Sequence, residues 1–189
     1  MLKKLISYFA NNDFYNDCGA ENNCDVINGQ FKVSNKEIAT PITVNGEAVI
    51  EAGSVFKNRV QVNGSLQASQ SCFESLLVAN GTINLHDIRL ETAELSGGIS
   101  INNTECREQL SIRSAKAEFN HCTLNSINIK AILKAKIQQS VFLMNQTVVK
   151  GNITCEGGSA IIYIDNTSAI QGEVIGAEIK QLNPNPETN

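Results

Sequence analysis

The chain has 189 residues, of which 42% are apolar but only 5% aromatic, with no Trp, and its formal charge is −4. That length suits one domain, and that composition builds a core from small aliphatic side chains stacked regularly. The acidic balance and the lack of any long Lys/Arg run argue against nucleic acid as a partner, because phosphate binding needs clustered cations.

At the start of the chain, Leu2, Leu5, Ile6 and Phe9 fall at helical spacing beside Lys3 and Lys4, which predicts a short amphipathic helix over 1–10. The apolar run after the two lysines is too short for a secretory leader or a membrane span, so a cytoplasmic location is expected. The six cysteines (Cys18, Cys24, Cys72, Cys106, Cys122, Cys155) then read as reduced thiols. Cys18 and Cys24 form the only close pair, and with no second pair the spacing is not a zinc motif. No cofactor or metal is expected. Residues 11–25 are polar and aperiodic and complete an N-terminal segment, helical or irregular, over 1–25.

From residue 26 one phrase recurs: "VINGQFKV" from Val26, "TVNGEAVI" from Thr43, "VQVNGSLQA" from Val60 and "LVANGTINL" from Leu77. Asn-Gly between alternating runs is a hairpin signal. A row of hairpins, however, has no need of a constant period. The glycine position recurs at Gly29, Gly46, Gly64, Gly81 and Gly98, passes through Ala115 and Ile132, and returns at Gly151 and Gly172, in steps of 17, 18, 17, 17, 17, 17, 19 and 21 residues. Apolar pairs flank the early members: Ile27/Phe31, Val44/Ala48, Val62/Leu66 and Ala79/Ile83.

A second column shares the register. The tripeptides centred on Val55, Cys72, Ile88, Cys106, Cys122 and Val141 each set an apolar residue between two flanking ones. A constant period in two columns marks a solenoid, in which each coil returns its residues above those of the next. About 17 residues divide into three short strands and three bends. The expected fold is therefore all-β, a single-stranded parallel β-helix of about nine coils over 26–182, a rod roughly 40 Å long at the ~4.8 Å strand spacing. The Gly position is read as one repeated corner, and the six central residues of the second column as one inward stripe.

After Leu182, "NPNPETN" is too polar and proline-rich to continue a coil, so 183–189 is expected to be a loose tail. Nothing in that tail is apolar enough to cover Ile175, Ile179 and Leu182, which predicts an exposed terminal cross-section and self-association through it.

Enzymatic β-helices cluster carboxylates on one face. Only Asp87, Glu105 and His121 approach this, expected to stack outward on successive coils about 5 Å apart with Arg89 and Arg107 alongside. The plain reading is a solvated, partly self-neutralising charge ladder; the functional one is a partner-binding patch or, after that, a catalytic site with Glu105 or His121 as acid/base. Opposite parity sends His121 out and Cys122 in, which disfavours a Cys/His nucleophilic pair. Three Asn-x-Thr sites, at Asn80, Asn145 and Asn152, carry no meaning without export. No enzymatic activity is expected.

With "VVKGNITCEGGSAIIYIDNTSAIQGEVIGAEI" (148–179) and "ITVNGEAVIEAGSVFKNRVQVNGSLQA" (42–68), the chain resembles the bactofilins, polymer-forming cytoskeletal proteins of bacteria, over residues 28–180. The resemblance implies a nucleotide-free filament of β-helices stacked end to end, attached peripherally to the inner membrane by a short N-terminal segment. Leu2, Lys3, Lys4, Leu5, Ile6, Tyr8 and Phe9 match that segment, with many copies supplying avidity for lipid. The alternatives are a soluble β-helical protein-binding module that does not polymerise and, third, a carbohydrate-active enzyme.

Overall fold

The structure, a computed structural model, describes residues 24–132, 137–157 and 160–182. The expected helix over 1–10 and the tail 183–189 lie outside them. Among the described residues there is no helix, and seventeen strands form one continuous sheet in which every pairing is parallel. One register line crosses the whole solenoid, from Asp25 through Ile42, Val60, Leu77, Ala93, Leu110, Ile127 and Ile153 to Val174. Its nine members mark nine coils, and the parallel β-helix expected from the period is the fold.

Each coil has three sides. In the second coil, Ile42–Ile50 runs along the first side, bends at Gly46 and continues along the second. A turn leads to the short third side, Val55–Phe56, and a further bend returns the chain to Val60. Alternation puts every second residue inside, so the core consists of columns running parallel to the axis. On the first side Ile27, Val44, Val62, Ala79, Leu95, Ile112, Ile129 and Cys155 stack and are all buried. On the third side Phe56 stacks on Phe73, ring centroids 5.0 Å apart, and the column continues through Leu90, Cys106, Leu124 and Val149.

The glycine corner is real, but the structure redraws its membership. Gly29, Gly46, Gly64 and Gly81 are in register, and the next member is Gly97, not Gly98, which lies beside Thr82 in open space. At Gly46, Gly64, Gly81 and Gly97 the backbone has φ between 118° and 143°, and a Cβ would strike the carbonyl oxygen of the preceding glycine in the column. Glycine is required here because neighbouring coils meet backbone to backbone. Gly151 and Gly172 belong to a different corner, between the third and first sides, where Gly172 sits against Gly151 and Gly151 against Asn125. The first corner ends instead at Gly176, against Cys155.

Two substitutions explain why the phrase fades in the middle. Ser114 is buried at the sixth coil, and its hydroxyl, with one proton to give, has Gly97 O at 2.6 Å and Lys116 O at 2.5 Å as acceptors. At the seventh coil the connection after Ile129 lengthens, so Ile132 is not a corner residue. Buried Gln139 closes that connection, its amide donating to Ser114 O and to Lys130 O, both at 3.1 Å.

The asparagines of the phrase have a job of their own. Asn80 Nδ2 donates to Asn63 Oδ1 at 3.2 Å, Asn63 Nδ2 to Asn45 Oδ1 at 2.8 Å, and Asn45 Nδ2 to Asn28 Oδ1 at 2.9 Å. This amide ladder runs down the outer face beside the glycine column.

The second predicted column is corrected more deeply. Val55 and Cys72 face outward, in register with Arg89, Glu105 and Thr123. Cys106 is inside the third side, Val141 inside the second, and Ile88 and Cys122 lie at the turn between those sides. The six residues therefore form no single stripe. The real column at that turn is Ser54, Ser71, Ile88, Thr104, Cys122 and Thr147, all buried. Its hydroxyls are satisfied by backbone carbonyls: Ser54 Oγ donates to Glu51 O at 2.8 Å, Ser71 Oγ to Ser69 O at 2.7 Å and Thr147 Oγ1 to Met144 O at 2.7 Å. Small polar residues are tolerated inside because the turn brings those carbonyls to them.

Candidate interaction surfaces

Just before that buried column, the chain turns in the left-handed region at Gln70, Asp87, Asn103 and His121, with φ of 47°, 55°, 46° and 53°. Asn, Asp and His adopt this conformation more readily than most residues, which suits them to an exposed ridge. Next to the ridge runs the outward column Cys72, Arg89, Glu105, Thr123. Ridge and column together line an open recess of about 540 Å³ that includes Asp87, Arg89, Asn103, Glu105, His121 and Thr123.

Four of the five residues expected to form a patch thus meet in one concavity, although their order differs from the expectation. Glu105 stacks on Arg89, in the outward column, whereas Asp87 and His121 belong to the ridge. The two sets sit on opposite sides of a turn, which the alignment of tripeptides treated as one line. Asp87 accepts a hydrogen bond from Asn103 Nδ2, and His86 Nε2 lies 3.2 Å from its other carboxylate oxygen. The fifth residue, Arg107, lies at the edge, its Nε 3.9 Å from Glu105 Oε1. Such exposed pairs contribute a few tenths of a kcal/mol each, so the array is not built for stability.

Two of the thiols beside this surface, Cys106 and Cys122, are buried, and Cys72 is half-buried. Burial pushes Cys106 up to about 12 and Cys122 up to about 11, and it raises half-buried Cys72 as well. His121 is exposed and Cys122 inside as expected, although the left-handed turn at His121, not strand alternation, sets the two directions. The five described cysteines are free, and Cys18 lies outside the described residues. No cluster of His, Cys, Asp and Glu fit for a metal ion occurs among the described residues.

The second surface is the C-terminal end. The inward column of the second side runs Phe31, Ala48, Leu66, Ile83, Ile99, Ala117, Val141, Ile162, Ile179. Its first eight members are buried, and Ile179 is 51% exposed. Ile179 is a core residue with no described coil beyond it. Ile175 is 49% exposed for another reason: it stacks on Thr154 in an outward column and so sits at the rim. Leu182 is half-buried, its N–H donating to Ile164 O at 2.8 Å. Of the three residues expected at the end, one lies in the cross-section, one at its rim, and one is partly covered.

An outer aromatic pair escaped the sequence reading. Phe142 and Tyr163 stack with centroids 4.8 Å apart, and Lys116 Nζ lies 5.3 Å from the Phe142 ring centroid. Their spacing of 21 residues, that of the last coils, was the available signal. The residues expected to touch membrane, Leu2, Lys3, Lys4, Leu5, Ile6 and Phe9, lie outside the described residues. No described helix is long and apolar enough to cross a bilayer. No family model, curated protein or solved structure matches the chain in sequence or fold comparison.

Proposed function

We propose that the chain is a structural, self-associating scaffold, bactofilin-like, that needs no cofactor and works at the cytoplasmic face of the membrane. One observation carries the reading: a core column buried through eight coils ends in a half-exposed Ile179 beside an equally exposed Ile175. Open strand edges and apolar side chains at one end are the two features that drive association between β-solenoids. The reading is non-catalytic, and the buried, high-pKa thiol of Cys122 turned away from His121 supports that. Lipid attachment rests on residues 2–9 and on the resemblance.

Electron microscopy of the purified full-length protein tests the proposal. Filaments or end-to-end rods are expected, and a uniform single-chain particle at high concentration overturns it. The second reading, a soluble binding module, is favoured by the recess at Asp87, Arg89, Asn103, Glu105 and His121. In that case the particle stays monomeric, and Arg89→Glu weakens capture of a protein partner without changing the fold.

A further inference from the structure

The Asn-Gly phrase builds the fold, and it is also the dipeptide most prone to intramolecular deamidation, because glycine leaves the attacking backbone nitrogen uncrowded. Four copies lie in one amide ladder, Asn28, Asn45, Asn63 and Asn80. Asn28, Asn45 and Asn80 are exposed and Asn63 is half-buried, so water and base reach all four. What restrains them is the ladder itself. Asn45 and Asn63 each donate one amide hydrogen bond and accept another, whereas Asn80, among the described residues, only donates.

We propose that this ladder is a self-modification site that deamidates in a set direction, from Asn80 toward Asn45, with water as the only co-reactant. In the reaction the glycine backbone nitrogen attacks the asparagine Cγ. The new C–N bond closes a succinimide, the nitrogen gives its proton to base, and the side-chain nitrogen leaves as ammonia. Water then adds to one of the two ring carbonyls and opens the ring to aspartate or isoaspartate. To react, the asparagine must swing out of the ladder and the following glycine must loosen from its strand pairing. Asn80 breaks one side-chain bond to do so, and Asn45 and Asn63 break two.

The products set the direction. A carboxylate at position 80 has no proton to give Asn63 Oδ1, so two acceptors face each other and that rung opens. Asn63 is then held by one bond and becomes the new end. A carboxylate at position 28 still accepts from Asn45 Nδ2, so reaction there leaves the ladder closed. The ladder therefore records how often the coils open, and it loses rungs from one side.

Peptide mapping of the one-dalton mass gain, with enzymatic methyl transfer to detect isoaspartate, tests this on the full chain held at mildly alkaline pH. In urea all four sites should react at similar rates, since glycine follows each. In the folded protein Asn80 should lead Asn63 and Asn45 by about tenfold or more, because an extra bond raises the local opening free energy. Asn80→Asp should accelerate Asn63 to near the Asn80 rate, while Asn28→Asp leaves Asn45 unchanged. Circular dichroism checks that both variants remain folded, and the wild-type order decides alone if one does not. Equal rates at the three sites in the folded wild type, Asn45 or Asn63 ahead of Asn80, or faster Asn45 in Asn28→Asp would each overturn the proposal.

Discussion

At the scale of single residues, two adjacent glycines separate geometry from composition. Gly97 has φ 118°, and a side chain there meets the Gly81 carbonyl; Gly98 faces open space. Gly97→Ala should cost about 1–3 kcal/mol from the backbone conformation alone and more from the clash, while Gly98→Ala should stay within about 0.5 kcal/mol. Denaturant titration of both variants checks this, and equal losses would mean that the column is misassigned. The cysteines give a second test. Only the thiolate reacts, and burial holds Cys106 and Cys122 near 12 and 11. In the native protein at pH 8, a thiol reagent should label half-buried Cys24 and Cys72 first and leave Cys106 and Cys122 until the chain unfolds. Mass spectrometry of the labelled peptides reads the order, and early labelling of Cys106 contradicts the register.

At the scale of the element, the period was legible and the corners were not. Spacing near 17 residues is written into the Asn-Gly phrase because neighbouring backbones touch there, and only glycine satisfies the contact. The turn before the third side leaves a fainter trace. It is built from left-handed Gln70, Asp87, Asn103 and His121 followed by a buried hydroxyl, thiol or Ile88, a mixture with no shared hydropathy. Aligning tripeptides by their small apolar centres therefore slid Val55 and Cys72 onto an inner line they do not occupy. Asp87, Arg89, Glu105 and His121 still meet across the turn in one recess, whichever line each belongs to, and Arg107 does not line it. A related turn at 165–168 makes a pH prediction. Desolvation pushes Asp165 up, but hydrogen bonds from Asn145 N, Ser168, and the hydroxyl and N–H of Thr167 outweigh it and hold the carboxyl at about 2. With the folded value depressed below the ordinary ~3.9 of aspartate, the stabilisation is present above about pH 4 and is lost as pH falls toward about 2. Hydrogen exchange at the Asn145 and Thr167 amides should accelerate, relative to the core strands, over that window. Asp165→Asn should remove the pH dependence.

At the scale of the whole molecule, the buried column of the second side stops at the half-exposed Ile179. A solenoid is stabilised mainly between neighbouring coils, so the last coil gains only half of what an inner coil gains. Covering the exposed halves of Ile175 and Ile179 would contribute about 1 kcal/mol each, well below the roughly 4 kcal/mol or more that association costs. Apolar burial alone therefore does not hold two copies together. The edge of Ala177–Gln181 that no described strand pairs has to pair as well, and the contact should be concentration-dependent unless many copies are aligned on one surface. Ile179→Lys places a charge where a docked copy would desolvate it. Light scattering at high protein concentration should show a lower mass for this variant, and a smaller drop for Ile175→Lys, whose side chain sits at the rim. Because the substitutions lie in the last coil, the circular dichroism of the upper coils should be unchanged. If both variants keep the wild-type mass, the C-terminal end is not a contact between copies.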